Sequence, residues 1–322
     1  MMNRRHWLAA TCVSLGMTVS SVSWAQGYPN QPIRLVVPFA PGGAVDQTAR
    51  IISGALGDRL GQQIIVENKP GASGSLAASE VARAKPDGYT IMLALDSQAV
   101  NHHIVKSLPF DTFNSFDYLG ILVTTPQILV VRNEIPVKNL DELVAYLKAN
   151  PKATYGSAGT ASAGHVNSAQ LGINKGLKTE HAPYKGAAPM MADLMGGHID
   201  YAFGGLSVLL PHVKAEKVRA IAVSSPKRSS KLPDVPAMNE FIPGFEYPTW
   251  IGYLAPKGLP LDVHKKITTA FSDVMQDPQI VKRFNENAFD IVNGTPEMMA
   301  QRVRKDSDVM AELVKQKIVD AN

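Results

Sequence analysis

Ile33-Arg34-Leu35-Val36-Val37-Pro38-Phe39-Ala40-Pro41-Gly42-Gly43-Ala44-Val45-Asp46 decides the fold, together with the helical pattern that runs on from Asp46 to Leu60 and the β-rich run Ile64 to Asn68. An almost unbroken apolar strand at Ile33 to Ala40, a turn of small residues, a helix and a second strand make one βαβ unit. Strands of this kind, covered on both faces, belong to parallel sheets. Working outward, Ser73 to Ala84 reads as a helix and Ile91 to Leu95 as a strand, so the alternation continues. The apolar stretch Leu119 to Val131, interrupted by Thr124-Thr125-Pro126, reads as a strand crossing into another domain.

A second α/β unit follows. Asn139-Leu140-Asp141-Glu142 opens a helix with a capping-box pattern, and Leu140, Leu143, Val144 and Leu147 mark its buried stripe. Thr154-Tyr155 reads as a short strand, a helix starts near Gly164, and Ile199 to Phe203 and Val218 to Val223 are further strands. Pro233, Pro236, Pro243 and Pro248 argue against regular structure, so the chain is expected to cross back there. After Asp262 a helix carries Val263, Ile267, Ala270, Phe271 and Val274 on one face. Another starts at Thr295-Pro296-Glu297, with Thr as cap and Pro at the first helical position. Both helices are expected to pack back on the first domain, so that two crossings form a hinge.

Composition agrees with a large folded chain: 322 residues, 45% hydrophobic, 19% charged, 25 Gly, 22 Pro and one Cys. These values exclude disordered, collagen-like and disulfide-framework classes. The length exceeds that at which one core usually divides in two. Residues 1–25 read as an export signal: Arg4 and Arg5, an apolar stretch from Leu8 to Val22, then Ser23-Trp24-Ala25 before Gln26. The ordinary secretory route is expected over the twin-arginine route, and the destination is the periplasm. Without Arg4 and Arg5 the net charge falls from +4 to +2, which leaves no nucleic-acid footprint. Without Cys12 there is no thiol chemistry.

Three turns of small residues carry the functional signal. Phe39, Ala40, Pro41, Gly42 and Gly43 lie where a strand ends and a helix begins, and helix N-terminal amides attract anions. Asp46 there reads as shaping the loop. Ala72 and Ser73 lie in a second strand-to-helix turn at the same sheet edge, where ligands of open α/β sheets bind. Tyr155 to His165 is the strongest, with Ser157, Ala158, Thr160, Ser162, Ala163 and Gly164 able to satisfy a carboxylate without charge. A leucine at Gly164 is expected to block binding and leave the fold intact. His165 reads as a supporting or helix-start residue, and adjacent His102-His103 as surface or core histidines. Nucleophile elbow, dinucleotide, P-loop and HExxH motifs are all missing, so no metal or cofactor is expected.

These pieces resemble the Bug family (TctC-like), the substrate-binding proteins of tripartite tricarboxylate transporters. The matching segments are Tyr28-Pro29, Pro32 to Phe39, Pro41-Gly42-Gly43 with Asp46 and Arg50, Val66 to Ala72, and Pro86-Asp87-Gly88-Tyr89-Thr90. In the second half Gly156-Ser157, Gly164-His165, Pro183-Tyr184-Lys185-Gly186 and Gly196 to Asp200 match. The resemblance implies a two-lobed α/β periplasmic binding protein, type II-like, each lobe a mostly parallel sheet flanked by helices. Lobe I would hold residues 26–125, lobe II 126–240, and 241–322 would return to lobe I. It implies a monomer without catalysis that captures a small organic anion: a di- or tricarboxylate, an aromatic carboxylate or an acidic amino acid. Its partners would be a large and a small integral membrane permease subunit. Tyr184 joins the site through this resemblance.

One residue departs from the pattern. Asp96, in Leu95-Asp96-Ser97-Gln98, would repel a polycarboxylate and favour a positively charged group if it faced the cleft, and would say nothing about the ligand if it were a helix cap. Two other functional readings stand beside capture for transport: a sensory protein presenting its ligand to a receptor, and a serine hydrolase using Ser162 or Ser73 with His165.

Overall fold

The structure, a computed structural model, describes residues 27–315 and 319, so the expected export signal lies outside the described residues. The chain first builds β1 (Ile33–Val37), α1 (Ala44–Leu60), β2 (Ile64–Asn68), α2 (Ser75–Ala82), β3 (Thr90–Leu95), α3 (Asp96–Ile104) and β4 (Phe116–Thr125). It then forms β5 (Gln127–Arg132), α4 (Leu140–Ala149), β6 (Thr154–Ser157), α5 (Ala163–Lys175), β7 (Glu180–Pro183), α6 (Ala187–Met195), β8 (Tyr201–Gly205), α7 (Leu206–Lys214) and β9 (Val218–Val223). The return supplies β10 (Thr249–Pro256), α8 (Leu261–Gln276), α9 (Pro278–Glu286), β11 (Asp290–Gly294) and α10 (Pro296–Lys315).

Among the described residues two sheets form, ordered β11-β4-β10-β3-β1-β2 and β7-β6-β8-β5-β9. Both are mixed, with most strands of each running one way as expected: β10 and β11 run against the rest in the first sheet and β5 does so in the second. The reason is the crossing. A strand that carries the chain into a lobe from the hinge side must run against the strands whose carboxyl ends face the cleft. β5 does so after Pro126, and β10 does so after the irregular 224–248 segment.

Local chemistry accounts for most of the element ends. Pro38, which has no amide hydrogen, stops β1 short of the expected Ala40. Asn139 caps α4 by accepting the Glu142 amide at 2.9 Å, and Glu142 accepts from the Asn139 side chain at 2.8 Å. Pro296 starts α10, and Thr295 Oγ1 accepts the Met298 amide at 3.3 Å. The helix expected from Ser73 begins only at Ser75, because Ala72 and Ser73 have positive φ of 45° and 51° in a short 3₁₀ turn.

The core follows from two-sided coverage. Ile33, Leu35 and Val37 of β1 face a cluster with α1, α8 and α9, whereas Val36 faces the cluster of α2, α3 and α10. The second cluster also takes in Ala161, Ala163 and Val166 from beside and within α5, so apolar packing continues between the lobes. The expected stripe on α8 is buried as read. In the second lobe, Leu140, Leu143 and Leu147 pack against one sheet face and Met190, Leu194 and Leu209 against the other.

Candidate functional site

Each turn named from sequence starts a helix, and helix starts are what the cleft is made of. α1, α3, α5, α6 and α7 begin at Gly43, Leu95, Ser162, Gly186 and Gly205, none of which caps its helix with a side chain. All five N-cap residues line one interlobe cavity. Val45, Ala158, Ala187, Val208, Gln127 and Thr249 complete much of its wall. Aligned peptide dipoles give each helix start a partial positive charge. Helix ends thus bring partial positive charge to a cavity whose wall holds no Lys, Arg or His.

The α1 and α6 turns meet face to face. The Ala40 amide donates to the Lys185 carbonyl at 3.3 Å, and a Cβ at Gly186 would sit 3.7 Å from the Ala40 nitrogen. The positive φ of +137° at Gly186 is what calls for glycine there, since an added Cβ would make only ordinary contact with Ala40. Deeper in, two first-turn amides of α7 are already used: Leu206 donates to the Pro126 carbonyl at 2.8 Å and Ser207 to Thr125 Oγ1 at 3.3 Å.

The residues named from sequence divide into groups. Phe39, Gly43, Asp96, Ala158, Ser162, Ala163 and Gly164 line this cavity. Ala72, Ser73, Thr160 and Tyr184 line a second cavity that also touches Phe39. There Ser73 Oγ donates to the Thr160 carbonyl at 3.1 Å across the lobes, and Tyr184 Oη donates to Asp193 at 2.6 Å. The others line neither cavity. Pro41 and Gly42 are exposed. Asp46 is bound inside its own loop by the Gly42 amide, Asn68 and Arg50 at 2.9, 3.0 and 2.9 Å. Burial alone would raise its pKa, but Arg50, the Gly42 amide and Asn68 together hold the carboxyl below its usual range. Asp46 thus shapes the loop.

Ser157 and His165 are structural. Ser157 is fully buried and its hydroxyl lies 2.7 Å from His181 Nε2. His165 accepts the Ala161 amide at 3.0 Å and stacks on His181 at 3.9 Å between ring centroids. Burial, and then His165, push the His181 pKa down to about 3, so its ring is neutral at ordinary pH. The hydrolase reading is corrected by these contacts, because His165 Nδ1 is occupied by a backbone amide rather than a serine. The expectation that a leucine at Gly164 leaves the fold intact is corrected too: a Cβ there would lie 2.4 Å from the Phe203 carbonyl oxygen, so this glycine also serves the packing of α5 on β8. His102 and His103 both reach Ser307, at 3.1 and 2.9 Å. Among the described residues no cluster of three metal-ligating side chains exists.

Asp96 faces the cleft and also caps a helix, in the opposite lobe. It is 1% exposed, lines the cavity, and its Oδ2 accepts the Ala163 amide at the start of α5. Burial first, then Asp306, push its pKa up to about 7, against the pull of the Ala163 amide, its own amide and Arg302. Tyr247 also feels this carboxylate. A carboxyl with a higher pKa folded than unfolded keeps a proton the unfolded chain loses, so its contribution to stability falls as pH rises from about 4 to about 7. The unfolding free energy of the native protein, relative to Asp96→Asn, should decline across that window in denaturant titrations. A difference that stays flat with pH would contradict the assignment.

Sequence reasoning missed Gly186-Ala187 and Gly204-Gly205, although each repeats the glycine-then-apolar-helix pattern of the turns it did find. Gln127 and Thr249, joined at 2.7 Å, carry no local signal because they meet only through the two crossings.

Two lobes on two crossings, closing over a cavity of helix N-termini, define a solute-binding protein. The family described as "Tripartite tricarboxylate transporter family receptor" matches residues 48–318, and the chain belongs to it. A UPF0065 protein in the tcbD-tcbE intergenic region of Pseudomonas sp. (strain P51) is 32% identical, over 99% of this chain and 96% of its own. The solved periplasmic binding protein BugD is 34% identical with a TM-score of 0.87, over 91% of this chain and 99% of its own. MatC from Rhodopseudomonas palustris with bound malate is 28% identical with a TM-score of 0.83, over 89% of this chain and 100% of its own. Like these relatives, the protein is a binding protein of the Bug/TctC type and not an enzyme.

Proposed function

We propose that this protein captures a small organic anion outside the cytoplasm and delivers it to an integral membrane permease with one large and one small subunit. Residues 1–25 serve as its export signal and the periplasm is its place of work. The ligand is a di- or tricarboxylate, an aromatic carboxylate or an acidic amino acid. One observation carries the reading: five helix starts, none capped by the side chain of its own N-cap residue, line a cavity between the lobes that has no basic side chain in its wall. Charge-assisted hydrogen bonds from backbone amides suit a carboxylate and reward closure, since α1 and α3 lie in one lobe and α5, α6 and α7 in the other. Phe39, Gly43, Ser162 and Ala163 form the inner site, and Ala72, Ser73, Thr160 and Tyr184 its outer part. Malate in MatC is consistent with a ligand of this class.

The test is thermal melting of ligand-stripped, refolded protein against a panel of organic acids. A cognate carboxylate at about 100 times its dissociation constant should stabilise the protein by about 2.7 kcal/mol, a shift of several degrees. A panel in which neutral sugars or cations shift melting and carboxylates do not would sink the proposal.

A further inference from the structure

The cavity contains one charged side chain, and its sign is the opposite of what an anion site calls for. Asp96 lies within the wall, 1% exposed, with Oδ2 on the Ala163 amide. The first amide of α5, which an anionic ligand would be expected to use, is thus taken by the protein's own carboxylate. Nearby, Asp306 of α10 accepts both oxygens' bonds from Arg302 Nε, at 2.9 and 3.0 Å, and one from Trp250 Nε1 at 2.6 Å. Arg302 is therefore committed to Asp306. Asp96 is thus bonded to a backbone amide and Arg302 to Asp306, which leaves the guanidinium to the second carboxylate.

A second observation falls at the same place. Ser162, the residue before α5, is 5% exposed and lines the cavity, and its hydroxyl has no hydrogen-bond partner. Buried hydroxyls are normally satisfied, so this one marks a position where a ligand group belongs. The α1 and α6 turns, whose N-cap residues make no side-chain cap, face each other in the wall of the same cavity, and no acidic side chain occupies their amides there. A ligand with two carboxylates would have to displace Asp96 or lie beside it. A ligand with a carboxylate at one end and a cation at the other matches both.

We propose that the cavity selects an ammonium-bearing carboxylate, with the carboxylate at the α1 and α6 turns and the ammonium between Asp96 and Ser162. This inference rests on the carboxylate-binding reading and narrows it. Asp96 is the specificity-determining residue, since it favours a cationic end and rejects a second anionic one.

The experiment is calorimetric titration of ligand-stripped native protein and Asp96→Asn with two matched pairs, aspartate against succinate and glutamate against glutarate. The native protein should bind the amino member of a pair at least tenfold more tightly. Asp96→Asn, which keeps an oxygen for the Ala163 amide, should reduce that preference at least tenfold and leave the dicarboxylate bound as well or better. Equal binding within each pair by the native protein, or an unchanged preference in the variant, overturns the inference and leaves the carboxylate reading standing. If none of the four binds native protein, mass spectrometry of the compound released on denaturation decides. An amine-bearing carboxylate supports the inference, and a carboxylate without an amine overturns it alone. Release of a metabolite with no carboxylate overturns the function reading itself.

Discussion

Replacing Gly164 with alanine should destabilise the protein by about 2–3 kcal/mol, the cost of overpacking against an atom that cannot move aside. The added Cβ would lie 2.4 Å from the Phe203 carbonyl oxygen, with Gln127 Oε1 at 3.5 Å. The clash is with the backbone of β8, so α5 and the sheet must separate, and no rotamer change relieves it. Helix propensity favours alanine by only about 1 kcal/mol, too little to compensate. Melting should fall by roughly 5 °C. Gly54 in α1, where an added Cβ meets nothing within 4 Å, is the control, and Gly54→Ala should hold or raise the melting temperature. Should Gly164→Ala melt no lower than native, the close approach of α5 to β8 is wrong.

Asp306→Ala should cost about 3 kcal/mol, because removing one partner leaves buried groups unpaired. Trp250 is fully buried, and its indole N–H would lose its acceptor, while Arg302, mostly buried, would lose its carboxylate. Asp306→Asn keeps an acceptor for Trp250 and should cost clearly less. Removing Asp306 also takes away a neighbour that raises the Asp96 pKa and frees Arg302, so the Asp96 carboxyl should titrate lower. Denaturant unfolding of both variants is the check. Equal losses for alanine and asparagine would mean that the Trp250 bond contributes nothing.

The parts of the fold that were legible were those whose cause is local. Asn139 with Glu142, and Thr295 with Pro296, mark the starts of α4 and α10 within a few residues, and the side-chain spacing on α8 is enough to name its buried face. β10 was not legible, although all eight of its residues are buried. Its partners β3 and β4 are more than 120 residues away in the chain, and a mainly apolar run after Pro248 looks the same whether it ends a loop or enters a sheet. The antiparallel sense of β5 and β10 has the same origin, since direction is set by which side of a lobe the chain enters.

The site was half legible. Glycine-rich turns before helices named Gly43, Ser162 and Ala163, which line the inner cavity, because a helix start needs only its own few residues to expose its amides. The same local pattern could not separate Gly43 from Gly42, or Ser162 from Ser157, because which side of a turn faces the cleft depends on the other lobe.

From its sequence alone this protein was committed to two α/β lobes with small-residue turns at the strand ends, since apolar periodicity and backbone freedom act over a few residues. Only the tertiary structure decided where Asp96 points. Its carboxylate finds its partner amide 67 residues onward, in the opposite lobe, and its uncompensated charge depends on Asp306 and Arg302 arriving from the far end of the chain. Electrostatic balance in a buried cavity is a sum over neighbours in space, and no stretch of sequence contains that sum.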